Sequence, residues 1–265
     1  MECKLSDDDF RILLEQFNRP WSGYKKVRKG VKKRLRRHMR LVKITCFSEY
    51  LKLISKDKGV RMDCEECLQV TISRFFRDRH LWSYLNKTLL PELIEKHPGG
   101  IRVWAAGCGC GEEVYSLAIL WNQLNSPVHL DIVATDINYQ NLARAQEGCY
   151  QLSSMKEVPE LMRIECFERQ NDRDNYCIKD RYRANIIWKQ HNFFSPLNCE
   201  KFQIIFLRNS LLTYHEGEQR NHALRQILRV IDLGGYLVAG SHEKIPEQFR
   251  KLQRVPDCPS LYRVI

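Results

Sequence analysis

Residues 103–116, which read Val-Trp-Ala-Ala-Gly-Cys-Gly-Cys-Gly-Glu-Glu-Val-Tyr-Ser, decide the fold of this chain. An apolar strand runs into glycines at positions 107, 109 and 111, and two carboxylates then open a helix. Glycine permits a tight turn and lets backbone N–H groups approach a ligand, because no Cβ stands in the way. The stretch predicts a strand–turn–helix unit whose turn binds a cofactor, with a purely structural turn as the alternative.

The glycine spacing and the charge that follows it restrict the kind of cofactor. The pattern is G-x-G-x-G and differs from the G-x-G-x-x-G of dinucleotide-binding folds. Glu112 and Glu113 at the start of the helix would repel a phosphate, whereas they suit a cation. The amino or sulfonium group of S-adenosylmethionine is such a cation, so the turn favours that cofactor.

The composition predicts one large domain, or a large and a small one, with a proper core. The chain has 265 residues, of which 43% are hydrophobic. No apolar run approaches the ~20 residues that span a bilayer. The first nine residues are acidic and lack the apolar core of a signal peptide.

The cysteines predict ordinary thiols in a reducing cytoplasm and no metal site. Eleven of them, an odd number, are scattered through the chain without the pattern of a disulfide framework. Cys64 and Cys67 have the spacing of half a zinc site, but no second C-x-x-C follows. Cys108 and Cys110 are interpreted as small residues that fit a crowded turn.

The positive charge is concentrated near the N-terminus. Of a net charge of +11, residues 21–40 contribute ten Lys or Arg and no acid. Apolar residues recur there every four positions, on one side of a predicted helix: Val27, Val31, Leu35 and Met39. The basic stretch Lys25–Arg40 predicts docking of an acidic protein surface, or less favourably of a phosphate backbone, and a solvated helix face is the alternative.

The predicted elements divide the chain into a helical part and an α/β part. We expect a helical domain over 1–72, a linking helix over 73–100 and an α/β domain over 101–265. Within the link, helical structure is expected from Arg74 towards Lys96, interrupted or bent at Pro91. The predicted helices of the first part are Leu5–Phe17, Tyr24–Leu41, Phe47–Ser55 and Asp63–Val70.

From residue 101 onward, apolar strands alternate with helices, which predicts a doubly wound parallel sheet with helices on both faces. The strands are expected at Ile101–Ala106, His129–Thr135, Gln203–Leu207 and Gly235–Gly240, with Ser260–Ile265 closing the sheet. A small antiparallel excursion is expected over about 175–191, made by Asn175–Asp180 and Asn185–His191.

Ligands of such sheets bind at the carboxyl ends of the strands, where the strand order reverses. The glycine turn ends the first strand, Asp136 ends the second, and Arg208 and Asn209 end a later one. Asp136 is placed to accept hydrogen bonds from both ribose hydroxyls of a nucleoside, with a helix cap as the alternative.

Five motifs in this order resemble the chemotaxis receptor methyltransferases of the CheR type, which use S-adenosylmethionine to esterify receptor glutamates. The resemblance covers roughly residues 5–243, including a helical N-terminal domain with a basic helix. The motifs are Thr-Ile-Ser-Arg-Phe-Phe-Arg at 71–77, the glycine turn, Ala-Thr-Asp-Ile at 134–137, Phe-Leu-Arg-Asn at 206–209 and Gly-Ser-His-Glu at 240–243.

The resemblance implies a class I methyltransferase fold, a protein glutamate as methyl acceptor, and a set of cofactor contacts. It implies that Arg77 meets both the cofactor and the acceptor, where a structural ion pair is the alternative. Glu113 would hold the methionine ammonium, and Asn192 and Phe193 would border the adenine. The implied cofactor-binding residues are Thr71, Ser73, Arg77, Gly107, Glu113, Asp136, Asn192, Phe193, Arg208 and Asn209.

The acceptor side departs from the family pattern. The family has a tyrosine four residues after the asparagine of its Arg-Asn motif, and here that position is Thr213, with Tyr214 one residue later. The family's Ser-Thr pair in the glycine turn is replaced by Gly109 and Cys110. With an unchanged backbone Tyr214 would point away from the site, whereas a local bulge would return it. Arg77 and Tyr214 are the candidate catalytic residues.

Four functions therefore stay open at this point. The leading hypothesis is O-methylation of a protein carboxylate. The others are methylation of nucleic acid, methylation of a small molecule, and a non-catalytic S-adenosylmethionine-binding adaptor. The sequence makes no prediction of oligomeric state.

Overall fold

A computed structural model describes residues 5–71, 73–170, 174–197 and 199–265, and in it the chain forms two compact units. The first contains the described residues up to Val70 together with Thr213–Glu218, and the second contains Thr71–Leu212 and Gln219–Ile265. Residues 1–4 of the acidic N-terminal segment lie outside the described part of the chain. Ile72 of the motif at 71–77 also lies outside it.

The first unit is helical and closes around one apolar core. Ser6 and Asp9 form a capping box, in which the Ser6 hydroxyl accepts from the Asp9 N–H at 3.0 Å and the Asp9 carboxylate accepts from the Ser6 N–H at 2.9 Å. The helices of its described residues before Val70 are α1 (Asp7–Gln16), α2 (Trp21–Tyr24), α3 (Arg28–Leu41), α4 (Phe47–Lys56) and α5 (Lys58–Leu68).

Most of the basic stretch folds as α3, which three residues separate from α2. Val31, Leu35 and Met39 are buried in the core of the unit, and Val27 packs partly buried beside them. The apolar spacing thus predicted the buried side of this helix correctly. The single helix expected over Tyr24–Leu41 is interrupted by a turn, and α3 begins at Arg28.

Residues 73–100, predicted as a linking helix, share the core of the second unit. Helical structure begins at Arg79 rather than at Arg74. A π-helical turn at Leu85–Leu89 precedes Pro91, whose missing N–H and ring disturb the regular hydrogen bonding of the preceding turn. The helices of this unit are α6 (Arg79–Tyr84), α7 (Leu90–Lys96), α8 (Glu112–Gln123), α9 (Tyr139–Glu147), α10 (Glu160–Cys166), α11 (Leu211–Tyr214, which ends in the first unit) and α12 (Gly217–Arg229, which begins there).

The second unit is built on a seven-stranded sheet in the order β6-β2-β1-β7-β8-β10-β9. Its first five members are parallel, and the last two pair antiparallel. The chain runs outward from β1 to β2 and β6 and then returns to β7, so the strand order reverses between β1 and β7. The strands are β1 (Ile101–Ala106), β2 (Leu130–Asp136), β3 (Cys149–Gln151), β4 (Phe167–Arg169), β5 (Asn175–Ile178), β6 (Ile186–Gln190), β7 (Phe202–Leu207), β8 (Ile231–Ala239), β9 (Leu252–Val255) and β10 (Cys258–Val264).

Both faces of the sheet are buried, as β1 demonstrates. Val103 and Ala105 lie in one apolar cluster, whereas Trp104 and Ala106 lie in another. Successive side chains of a strand point to opposite faces, so each cluster covers one face. This arrangement confirms the predicted α/β fold with a doubly wound sheet and helices on both faces.

The antiparallel excursion is smaller than expected. Asn175–Asp180 does contain an antiparallel strand, β5, but its partners are β3 and β4, which were not predicted. The prediction was wrong for Asn185–His191, because β6 joins the main sheet parallel to β2. Its exposed and half-exposed residues at the sheet edge lack the continuous apolar run of a central parallel strand, which explains the error.

The prediction of ordinary thiols was wrong for one cysteine pair. Cys149 and Cys177 face each other in the register of β3 and β5 and form a disulfide, with their Cα atoms 4.0 Å apart. Their proximity depends on the pairing of two short strands, which cysteine spacing does not reveal. Among the described residues, no helix combines the length and the apolar character needed to cross a membrane.

One buried hydrogen bond joins the central strands and can be removed without changing side-chain size. The Trp104 indole N–H donates to the Thr135 hydroxyl at 2.9 Å, and both side chains are buried. Thr135→Val should lower the free energy of unfolding by about 1–3 kcal/mol, because it leaves the buried indole N–H unpaired. Urea denaturation measures this loss. Thr88→Val at an exposed position is the control, and an equal loss in both variants would contradict the prediction.

Candidate active site

The glycine turn between β1 and α8 is tied to the end of β2. The Gly107 and Cys108 N–H groups both donate to the Thr135 carbonyl at 2.8 Å. Gly107, Gly109 and Gly111 all have positive φ values, of 76°, 58° and 89°. That conformation favours glycine, so the three glycines are required by the backbone of the turn.

Close packing adds a second requirement at two of these positions. A Cβ on Gly107 would lie 2.8 Å from the Phe193 ring, and one on Gly111 would lie 3.1 Å from the Trp188 ring. The Tyr150 hydroxyl also stabilises the turn, because it donates a hydrogen bond to the Cys110 carbonyl at 2.7 Å. The turn is therefore held rigidly before any ligand binds.

Asp136 ends β2 and anchors both the turn and the start of α9. Its carboxylate accepts from the Gly109 N–H and the Asn138 N–H, each at 2.9 Å, and from the Asn141 side-chain amide at 3.2 Å. Asn138, not Asp136, caps α9 by accepting from the N–H groups of its first turn. The alternative of a simple helix cap for Asp136 is therefore wrong, although its carboxylate does organise the loop before the helix.

A charged cluster lies where β7 ends. The Arg208 guanidinium donates to Glu113 at 2.6 Å and lies 3.7 Å from Asp78. Its side chain is only 4% exposed. Burial raises the pKa of the Glu113 carboxyl above its ordinary value, and the neighbouring Arg208 guanidinium opposes that rise. Glu243 and Arg77 also act electrostatically on Glu113, so three carboxylates stand against two guanidinium groups, and the one excess negative charge favours a cationic group of a ligand.

Arg77 stands beside this cluster on an unusual backbone. Phe76 and Asp78 on either side of it have positive φ values of 51° and 75°. The Arg77 carbonyl accepts from the Trp82 indole at 2.9 Å and from Arg208 at 3.2 Å. Non-glycine residues in this conformation are strained, and such strain is concentrated at functional sites.

The residue after Arg208 is fixed by the last of the five motifs. The Glu243 carboxylate accepts from the Asn209 N–H at 3.0 Å and from the Gly240 N–H at 2.6 Å. Asn209 itself has a positive φ of 52°. The buried Ser210 hydroxyl next along the chain lies 3.3 Å from the position of a Cβ on Gly107, and it makes no hydrogen bond to any described residue.

The remaining predicted cofactor residues are distributed unevenly around the turn. Phe193 lies against Gly107, and Asn192 precedes it and accepts from the Phe194 N–H at 3.1 Å. Ser73 hydrogen-bonds the buried Glu112. Thr71 is exposed and takes part in none of the contacts described above.

Tyr214, the second candidate catalytic residue, belongs to the first unit. Its ring packs edge-on against Tyr24, with the ring centroids 5.1 Å apart. Thr213, at the position of the family's tyrosine, belongs to the same unit.

Three residues with a clear part in the site were absent from the predicted set: Asp78, Asn141 and Glu243. Asp78 directly follows Arg77, and Glu243 ends a quoted motif, so both had a sequence signal. Asn141 had none, because an asparagine one turn into a helix does not indicate that it reaches back to a strand end.

A doubly wound sheet with a glycine turn and a strand-end carboxylate at its switch point is typical of nucleoside-cofactor folds, and the G-x-G-x-G spacing with Glu113 at the helix start favours a class I S-adenosylmethionine-dependent methyltransferase among them. The model of the family described as "CheR methyltransferase, SAM binding domain" matches residues 71–259. The chain belongs to the CheR methyltransferase family, and S-adenosylmethionine is its cofactor.

Similar proteins are chemotaxis methyltransferases by name. A chemotaxis protein methyltransferase of Listeria monocytogenes is 34% identical over 203 residues, which cover 77% of this chain and 76% of that protein. A probable chemotaxis protein methyltransferase of Rhizobium etli is 29% identical over 222 residues, covering 80% and 82%. The amino pentose methyltransferase CalS10 of Micromonospora echinaspora shows a loose structural likeness, with a TM-score of 0.36 and 12% identity over 60% of this chain and 50% of that one.

The residues around the turn fit this cofactor. The excess negative charge at Glu113 and Asp78 suits its cationic groups, and Asp136 lies at the strand end that faces a ribose in folds of this kind. The buried Ser210 hydroxyl offers a hydrogen bond that the described residues do not use.

Replacement of Asp136 tests the ribose position. Asp136→Ala should weaken S-adenosylmethionine binding on the order of 100-fold or more, because the variant loses a charge-assisted hydrogen bond to the ribose together with the three hydrogen bonds by which Asp136 orders the turn and the start of α9. Asp136→Asn, which retains one acceptor oxygen, should lose less. Isothermal titration calorimetry measures both. Asp131→Ala, a half-exposed aspartate of the same strand, is the control, and wild-type affinity in Asp136→Ala would show that the pocket is placed wrongly.

The raised pKa of Glu113 predicts a pH dependence of cofactor affinity. Because burial raises its pKa, the carboxyl gains its proton at a higher pH than an ordinary glutamate does, and the cationic cofactor then loses an attractive charge. Affinity should therefore weaken on acidification. Glu113→Gln should bind about ten-fold more weakly at pH 8 and show a flatter pH profile. Exposed Glu147→Gln should match the wild type, and an identical pH profile in all three proteins would refute the role of Glu113.

Proposed function

We propose that this chain transfers the methyl group of S-adenosylmethionine to a carboxylate of a protein acceptor and forms a glutamate methyl ester. The observation that carries the proposal is Arg77, whose backbone is fixed by Trp82 and Arg208 while its side chain stays partly exposed. A guanidinium binds a carboxylate through two parallel hydrogen bonds, which orients the acceptor oxygens. The names of the relatives, which are chemotaxis protein methyltransferases, support a protein acceptor.

The chemistry asks for orientation rather than proton transfer. When bound, S-adenosylmethionine supplies a methyl group on a positively charged sulfur. A glutamate carboxylate is ionised at neutral pH and is a competent nucleophile, so no general base is needed. Arg77 would hold one carboxylate in line, and the main contribution of the protein is positioning. Tyr214 is proposed as a second residue on the acceptor side.

The proposed cofactor roles are supported by the contacts around the glycine turn. Glu113 would hold the methionine ammonium while Arg208 keeps that carboxylate in place. Asp136 would accept from the ribose hydroxyls. The other residues proposed to surround the cofactor are Thr71, Ser73, Arg77, Gly107, Asn192, Phe193 and Asn209.

The basic helix α3 is proposed as the docking surface for an acidic acceptor. Part of its charge is used inside the first unit. Arg28 and Lys32 pair with Asp7 at 3.1 and 2.8 Å. Arg34 donates to the carbonyls of Cys67 and Gln69 at the C-terminal end of α5. The cations that remain exposed on the helix and just before it are Lys25, Lys26, Lys29, Lys33, Arg37 and Arg40. Exposed charge of one sign attracts a partner of the opposite sign.

We further propose that the protein works in the cytoplasm. Eight of the described cysteines are free thiols, and five of these are buried. Free thiols in this number are typical of a reducing compartment, with the Cys149–Cys177 disulfide as the exception.

Methyl labelling tests the proposed reaction. The full chain is incubated with a whole-cell lysate of its source and S-adenosylmethionine that carries a radioactive methyl group. We expect label in protein that alkali releases, because a glutamate methyl ester is base-labile. Arg77→Ala should lower this label at least ten-fold with the cofactor affinity less affected. Label that resists alkali, or label in nucleic acid, would overturn the proposal.

A further inference from the structure

The segment Thr213–Glu218 leaves the sheet unit and packs into the helical unit. Tyr214 contacts Tyr24 edge-on, and Tyr24 in turn packs edge-on against Phe10 with the ring centroids 5.9 Å apart. Tyr24 and Phe10 are buried at the centre of the helical core. Tyr214, the proposed acceptor-side residue, thus packs against the core of the helical unit, which also contains the basic helix α3.

Arg19 holds this segment from the end of α1. Its guanidinium donates to the Tyr214 carbonyl at 3.2 Å, contacts the His215 imidazole Nε2, and pairs with Glu65 at 2.8 Å. The Arg19 side chain is 11% exposed. A planar guanidinium can serve three partners at once, which a lysine ammonium of similar reach does less well.

The backbone of Arg19 is itself fixed. Its N–H donates to the Leu14 carbonyl at 2.9 Å, and the preceding Asn18 has a positive φ of 50°. These contacts close the C-terminal end of α1. The guanidinium therefore projects from a rigid helix end rather than from a loose loop.

His215 is suited to accept a hydrogen bond from Arg19. It is buried, and burial together with the Arg19 charge lowers its pKa to about 3. The imidazole is consequently neutral over the physiological pH range and does not repel the guanidinium. Glu65 supplies the negative charge that balances Arg19.

A close backbone approach reinforces the same contact. A Cβ on Gly23 would lie 2.3 Å from the Thr213 carbonyl oxygen. Only glycine lets the turn of α2 come this near to the segment. Three successive residues of the segment are therefore contacted by the helical unit. Gly23 packs against Thr213, and Arg19 contacts Tyr214 and His215.

The residues just before the segment belong to the sheet unit and are held there. Asn209 is held by Glu243, as described above, and only residues 210–212 separate it from Thr213. Leu211 within this short connection is fully buried. Each unit thus fixes its own part of this stretch, and within the helical unit Arg19 holds Tyr214 and His215.

We propose that Arg19 is a positioning residue for methyl transfer, which acts by fixing Thr213–His215 and thereby Tyr214 on the acceptor side. The inference rests on the proposed function, because it assigns Tyr214 to the acceptor. It predicts that loss of Arg19 impairs use of the acceptor and leaves cofactor binding intact.

The first experiment measures Arg19→Ala against a matched arginine of the same unit. Arg61 also donates to a main-chain carbonyl, that of Gln16 at 3.0 Å, but it does not touch the segment. With saturating S-adenosylmethionine and graded whole-cell lysate as acceptor, Arg19→Ala should lower the rate of alkali-labile methyl transfer about ten-fold. Its cofactor affinity by calorimetry should equal that of the wild type. Arg61→Ala should change neither quantity.

Two further measurements separate positioning from general stability. Hydrogen–deuterium exchange of a peptide spanning 213–218 should rise in Arg19→Ala and stay unchanged in Arg61→Ala. Arg19→Lys, which retains the charge opposite Glu65, should recover only part of the rate. In a double-mutant cycle, Arg19→Ala should lower the rate less in a Tyr214→Phe background than in the wild type, because both changes act through the same side chain.

The outcomes distinguish this inference from the function on which it rests. If the wild-type chain produces no alkali-labile label, the proposed function fails and the inference fails with it. If the wild type transfers the label and Arg19→Ala transfers it equally well, the inference alone is overturned. Independent effects of Arg19→Ala and Tyr214→Phe, or unchanged exchange over 213–218, would overturn it as well.

Discussion

The site depends on the way the end of β2 holds the glycine turn. The Thr135 carbonyl accepts two N–H groups of the turn, and the Asp136 carboxylate accepts a third from Gly109. A turn with three residues at positive φ has lost much conformational freedom, and these buried hydrogen bonds offset that cost. Because the turn is shaped before the cofactor binds, binding does not have to order it. The neighbouring Trp104–Thr135 hydrogen bond keeps the two strands in the register that this arrangement needs.

A second constraint is electrostatic. Arg208 is almost fully buried, and its charge is balanced by Glu113 and Asp78 from two other segments of the chain. Breaking one partner of such a buried pair is more costly than the pair is stabilising, so the three side chains specify one another's positions. The excess negative charge that remains attracts the cationic groups of the cofactor. The same guanidinium holds the Arg77 carbonyl, so the cofactor side and the proposed acceptor side share a single support.

Much of the fold could be predicted because its signals are local. Periodic apolar residues indicated the buried side of α3, and apolar strands followed by helices indicated the parallel sheet. The errors arose at short or polar elements. β6 is a half-exposed edge strand, and its partner β2 lies about fifty residues away, so periodicity could not show which sheet it joins. The Cys149–Cys177 disulfide has the same origin, since it depends on the register of strands β3 and β5.

The sequence by itself determined the class of the sheet, the glycine turn, and the family resemblance that implied S-adenosylmethionine, because these depend on residue type and order. Tertiary structure alone decided which side chains share charge and hydrogen bonds. It joined Arg208 to Asp78, directed Asn141 to Asp136, and seated Thr213–His215 on Arg19. The physical reason is that such contacts join residues far apart in the chain, and their geometry exists only once the packed backbone has brought them together.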